Sequence, residues 1–76
     1  MRTNFEVYII GKVKEIRKER GISQLELAEG IGVSSGFIGK VESSNTSAKY
    51  NLQHINLISN FLKISPRTLL PDEPML

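Results

Sequence analysis

The stretch "GIGVSSGFIGK", Gly30 to Lys40, holds four of the chain's six glycines next to a lysine. Glycines beside a lysine can cradle a phosphate with backbone N–H groups, and a spaced glycine triplet can admit a dinucleotide pyrophosphate. Both readings fail on spacing. A phosphate loop needs a glycine five residues before Gly-Lys-Ser/Thr, but Ser34 stands at that distance from Gly39, and Val41 follows Lys40. A dinucleotide fingerprint starting at Gly30 and Gly32 needs its third glycine where Ser35 stands, and this run leaves a helix rather than a strand.

Acid–base, nucleophilic and metal chemistry are equally poorly supplied. His54 is the only histidine, Asp72 the only aspartate, and there is no cysteine to act as nucleophile or thiolate ligand. One histidine cannot build a zinc site, so His54 reads as a partly exposed surface residue. The expectation is a protein that is not an enzyme, with no cofactor and no bound metal.

The elements that carry these residues read as helices. "NFEVYIIGKVKEIRKERG" places Phe5, Ile9, Val13 and Ile16 at steps of three and four, with Asn4 as cap and Gly21 as stop. In "SQLELAEGIG", Ser23 with Glu26 forms a capping-box pattern, Leu27, Ala28 and Ile31 face inward, and Gly32 ends the helix. Ser34 then caps a third helix through Glu42, only Gly32, Val33 and Ser34 separating it from the second. So short a connection forces a steep crossing. "NLQHINLISNFLKI" puts Leu52, Ile55, Ile58 and Leu62 on one face of a fourth helix. "SPRTLLP" predicts a fifth, capped by Ser65, with Pro66 at its first position and Leu69 and Leu70 packing before Pro71. No strand pattern or internal repeat is present. The fold class expected is all-α, a compact five-helix bundle over residues 1–71 with a helix-turn-helix at about 23–43 and a short tail at 72–76.

At 76 residues the chain supports one domain of modest stability. No apolar run approaches a membrane span, and the start "MRTNFEVYII" lacks the cleavable end of a signal peptide, so a cytoplasmic location with no membrane partner is expected. The net charge is only +2, but it is uneven. Arg2, Lys12, Lys14, Arg17, Lys18 and Arg20 outweigh Glu6, Glu15 and Glu19 in the first 22 residues. Such a run is either a solvated face or one that lies near a polyanion.

The compound pattern "GISQLELAEGIGVSSGFIGKVESSN" closely resembles the helix-turn-helix of the phage-repressor-like family (Cro/C1-type, Xre-like regulators). Ser23-Gln24, Leu27-Ala28, Ile31-Gly32-Val33-Ser34, Ile38 and Val41-Glu42 match at the family's spacing, and the likeness runs from Val13 to "SPRTLL". The resemblance implies double-stranded DNA as partner, the third helix entering the ~12 Å major groove. With Phe37 or Ile38 and Val41 turned inward, that helix presents Ser35, Gly36, Gly39, Lys40 and Ser43. The family positions that read bases match Ser35, Gly36 and Lys40, with Phe37 beside them. Relatives often carry bidentate side chains where this chain has Ser35 and Gly36. Readout is therefore expected to rest on Lys40, on Phe37 touching a thymine methyl unless it packs in the core, and on DNA shape.

The same resemblance assigns DNA-backbone contacts to Gln24, which in relatives also braces the start of the recognition helix, and to Ser34, Ser43, Ser44, Asn45 and Lys49. It pairs Arg17 with Glu42 as a structural ion pair. Relatives bind operators as twofold dimers, and apolar residues off the core stripe, Leu57, Phe61, Leu69 and Leu70, form the expected dimer interface, with Tyr8 and Ile10 as a second candidate surface. The function implied is a transcriptional regulator, a repressor of a palindromic operator, with no small-molecule effector evident. The alternative is a protein-interaction module, such as an antitoxin or anti-repressor, on the same fold.

Overall fold

The computed structural model describes residues 1–76 as four α-helices and one 3-10 turn: α1 (Asn4–Glu19), α2 (Gln24–Ile31), α3 (Ser35–Glu42), α4 (Leu52–Leu62) and the turn Pro66–Leu69. Each helix begins at a side chain that accepts an otherwise unpaired backbone N–H. Ser23 and Glu26 form the expected capping box, and Ser34 Oγ accepts from the Phe37 N–H at 3.1 Å. The α1 cap is Thr3 rather than Asn4. Glu6 lies three residues after Thr3 and reaches back to the Thr3 N–H at 2.8 Å, closing a second box. Asn51 and His54 close a third, in which His54 Nδ1 accepts from the Asn51 N–H at 3.0 Å.

The chain turns sharply between α2 and α3 because Gly32 adopts φ +79°, a left-handed conformation that side chains resist. α3 is thereby laid across α2, and α4 packs against α2 as well. The core gathers residues from every element. Val13, Leu27, Ile38, Val41, Ile58, Leu62 and Leu69 are its largest fully buried side chains.

Four further expectations are corrected. The fifth helix is a single 3-10 turn, closed by Thr68 N–H to Ser65 O at 2.9 Å and Leu70 N–H to Arg67 O at 3.1 Å. Pro71 supplies no N–H with which to extend it. Leu52 is 88% exposed, because it lies to one side of the stripe that Ile55, Ile58 and Leu62 define. Leu69 is 0% exposed, so it belongs to the core and not to a dimer interface; Ile10, at 8%, is likewise core.

α2 and α4 approach closely at Gly30, where a β-carbon would overlap the ring of Phe61. Bare backbone there leaves room for that aromatic ring against the helix. At the far end of α4, Arg20 donates to the Leu62 carbonyl, tying the exit of α4 to that of α1.

Candidate nucleic-acid interface

One carboxylate joins the three helices that build the outward face. Glu42, in the last turn of α3, receives Arg17 Nε on Oε2 at 2.9 Å and Arg17 Nη2 on Oε1 at 2.8 Å. Gln24 Nε2, from the first turn of α2, donates to the same Oε1 at 3.0 Å. Arg17 Nη1 is held by the Ile22 carbonyl at 2.7 Å, so the guanidinium also fixes the α1–α2 connection. The side chains of this pair are only 8% and 2% exposed. Burial pushes the Glu42 carboxyl up, but the hydrogen bonds from Arg17 and Gln24 and the charge of Arg17 outweigh it and hold the group below the ordinary carboxylate value. The guanidinium is correspondingly pushed up by Glu42.

The pairing expected from the resemblance is therefore present in bidentate form. Gln24 differs from its expected place. It lies across Gly39 and Glu42, bracing the end of α3 rather than the start, because α2 crosses α3 with its first turn over the other helix's last turn.

Ser35, Gly36 and Lys40 are exposed together on the outer face of α3. Phe37 is half-buried, and its ring is turned back onto His54, with centroids 4.9 Å apart, and toward Tyr50 at 6.2 Å. The core-packing reading holds for most of that ring. His54 is partly exposed, as expected, and is also an aromatic neighbour of Phe37 and a cap of α4.

Gly36 has open space around its missing β-carbon, whereas one at Gly39 would meet Gln24 Oε1 at 3.5 Å. Gly36→Ala is expected to raise the unfolding free energy by about 0.5–1 kcal/mol, read from the urea midpoint, since nothing in the free protein opposes the gain in helix propensity.

The residues assigned to the DNA backbone divide. Ser34 and Ser44 are exposed at the two ends of α3, as is Asn45, whose N–H is taken by Ser43 Oγ at 3.2 Å. Lys49 lies elsewhere: its Nζ pairs with Glu6 Oε2 at 2.9 Å, which turns it toward the first turn of α1. The Thr3 N–H and Lys49 together hold the Glu6 carboxyl below its ordinary range. Of the dimer residues other than Leu69, Leu57, Phe61 and Leu70 are half-buried.

Sequence reasoning did not single out Arg2 as a contact residue. Its guanidinium donates to the carbonyls of Lys40, Val41, Ser43 and Ala48 and to Thr46 Oγ1, spanning 38 to 46 residues of chain. No local pattern marks such a contact.

A short capped helix set across a second one after a tight turn, with a polar outer face, defines a helix-turn-helix module. The chain belongs to the helix-turn-helix family, whose model matches residues 13–69. It is 34% identical over 62 residues to the HTH-type transcriptional regulator SinR of Bacillus subtilis, a match over 82% of this chain and 55% of that protein. The chain thus spans about half the length of the curated relatives it matches. Among solved structures, the restriction-modification controller protein C.AhdI from Aeromonas hydrophila superposes with TM-score 0.72 at 30% identity, over 84% of this chain and 94% of that one. SinR solved in complex with DNA superposes with TM-score 0.68 at 33% identity, over 80% and 95%. No helix here is long and apolar enough to cross a membrane.

Proposed function

We propose that this protein is a sequence-specific, non-enzymatic DNA-binding transcriptional regulator, a repressor that occupies a near-palindromic operator as a homodimer in the cytoplasm. The observation that carries this reading is the α3 face. Ser35, Gly36 and Lys40 stand exposed on a helix held by α1 and α2 through Glu42, in a chain that superposes on a relative solved with DNA. With α3 in the major groove, Lys40 is the one long donor directed at base edges, and the glycines permit close backbone approach. Ser34, Ser44 and Asn45 flank it where phosphates would run. Leu57, Phe61 and Leu70 remain the proposed dimer surface, without Leu69.

The test is selection of bound duplexes from a random pool, repeated with Lys40→Ala and Gln24→Ala. Lys40→Ala is expected to relax preference at one position per half-site, by about 1–3 kcal/mol of discrimination. Gln24→Ala should weaken all sequences about equally; exchanged outcomes would overturn the two roles. The thin reading surface of α3 favours one rival, a protein-interaction module. A wild-type protein that shows no salt-sensitive retention on random duplex would select that rival.

A further inference from the structure

The last turn of α3 is poorly made by its own sequence. The helix has eight residues, two of them glycine, and its end is Ser43 in an extended conformation rather than a left-handed glycine. Helices this short are marginal without tertiary support, and their final carbonyls need outside donors. The carbonyls of Val41 and Ser43 lie beyond the reach of any later helical N–H.

Arg2 supplies those donors. Nη2 reaches Val41 O at 2.9 Å and Lys40 O at 3.2 Å, Nη1 reaches Ser43 O at 2.8 Å, and Nε reaches Ala48 O at 2.8 Å. Thr46 Oγ1 completes the set, accepting from Arg2 at 3.1 Å and donating to Lys40 O at 2.5 Å. A guanidinium here also places positive charge at the negative end of the α3 dipole. The Glu6–Lys49 ion pair ties the far side of the same connection to the same end of α1. Both Arg2 and Glu6 precede residues 13–69, the span that the family model matches.

We propose that Arg2 is a positioning residue for DNA binding: it clamps the end of α3 and the 43–48 connection, so that Lys40, Ser44 and Asn45 are preset for duplex. This rests on the DNA-binding reading above. Preset groups lose less freedom on association, so affinity rises without a new contact to DNA. A direct phosphate contact by Arg2 would behave differently, because removing one neutralised phosphate lowers the slope of log K against log salt by about 0.9.

The test compares Arg2→Ala, Arg2→Lys and Thr46→Val with wild type, well below each thermal midpoint, on a selected duplex and a random one. Arg2→Ala is expected to weaken both duplexes by about five- to tenfold, the size of a lost helix cap, with an unchanged salt slope. Arg2→Lys keeps the charge but not the fork and should rescue only in part. Thr46→Val, which leaves every charge in place, should weaken binding in the same direction. Backbone order parameters of residues 43–48 in the free Arg2→Ala protein should fall from about 0.85 toward 0.6. Unchanged affinity in a folded Arg2→Ala protein overturns the proposal. So does a reduced salt slope with full rescue by lysine, or a 43–48 segment as rigid as before. Wild type that binds no duplex would fail the DNA reading itself, and the order parameters would still decide whether the clamp exists.

Discussion

Glu42→Ala is expected to lower the unfolding free energy by about 3–5 kcal/mol, the usual cost of stranding one member of a buried ion pair. The loss is large because the alanine leaves the Arg17 guanidinium, 8% exposed, with the Ile22 carbonyl as its only remaining partner among those now holding it. Small domains have few kcal/mol in reserve, so the variant should be extensively unfolded by mild urea or modest heating. Arg17→Met combined with Glu42→Leu removes both charges and should recover most of the loss. Because the folded Glu42 carboxyl is held below the ordinary carboxylate value, its contribution is present above that ordinary value and is lost as pH falls through the folded one. The gap between wild type and Glu42→Ala should therefore narrow in acid. A loss under 1 kcal/mol at neutral pH, measured by urea titration, would mean that the carboxylate is not the joint of the three helices.

Leu69→Ala is expected to cost about 2–5 kcal/mol, in the range of fully buried leucine truncations. Its side chain is 0% exposed and belongs to the continuous core of all four helices. The loss should not depend on protein concentration, since the cavity lies within one chain. Leu70→Ala, at a half-buried position, should cost less in stability and is the variant to read for altered association by sedimentation. A Leu69→Ala protein that melts like wild type but dissociates more readily would return Leu69 to the interface.

The local signals in the sequence carried most of the helix starts. Ser23, Glu26, Gly32 and Ser34 declare the helix-turn-helix because each acts on backbone within four residues of itself. The α1 cap moved by one residue because Thr3 and Asn4 are both good caps, and only the Thr3–Glu6 spacing decides between them. Neighbouring leucines in a single turn defeat periodicity, which is why Leu69 and Leu70 could not be told apart. The Arg17–Glu42 pair came from family likeness, being 25 residues apart in sequence. Exposure of Ser35, Gly36 and Lys40 was legible from the apolar stripe of α3, but the direction of Phe37 was not. It depends on where α4 delivers His54. Gln24 and Lys49 illustrate the same limit, since each is placed by the helix that happens to cross it.

The reach of Arg2 also orders events in time. Contacts between α2 and α3 close over a few residues and can form early, whereas joining Arg2 to Ser43 and Ala48 closes loops of 41 and 46 residues. The module's scaffold is thus expected to assemble before the last turn of α3 is fixed. Contacts made after the folding barrier govern how fast a protein comes apart rather than how fast it forms. The end of the helix proposed to face DNA would then be among the first parts of the fold to fray and among the last to set.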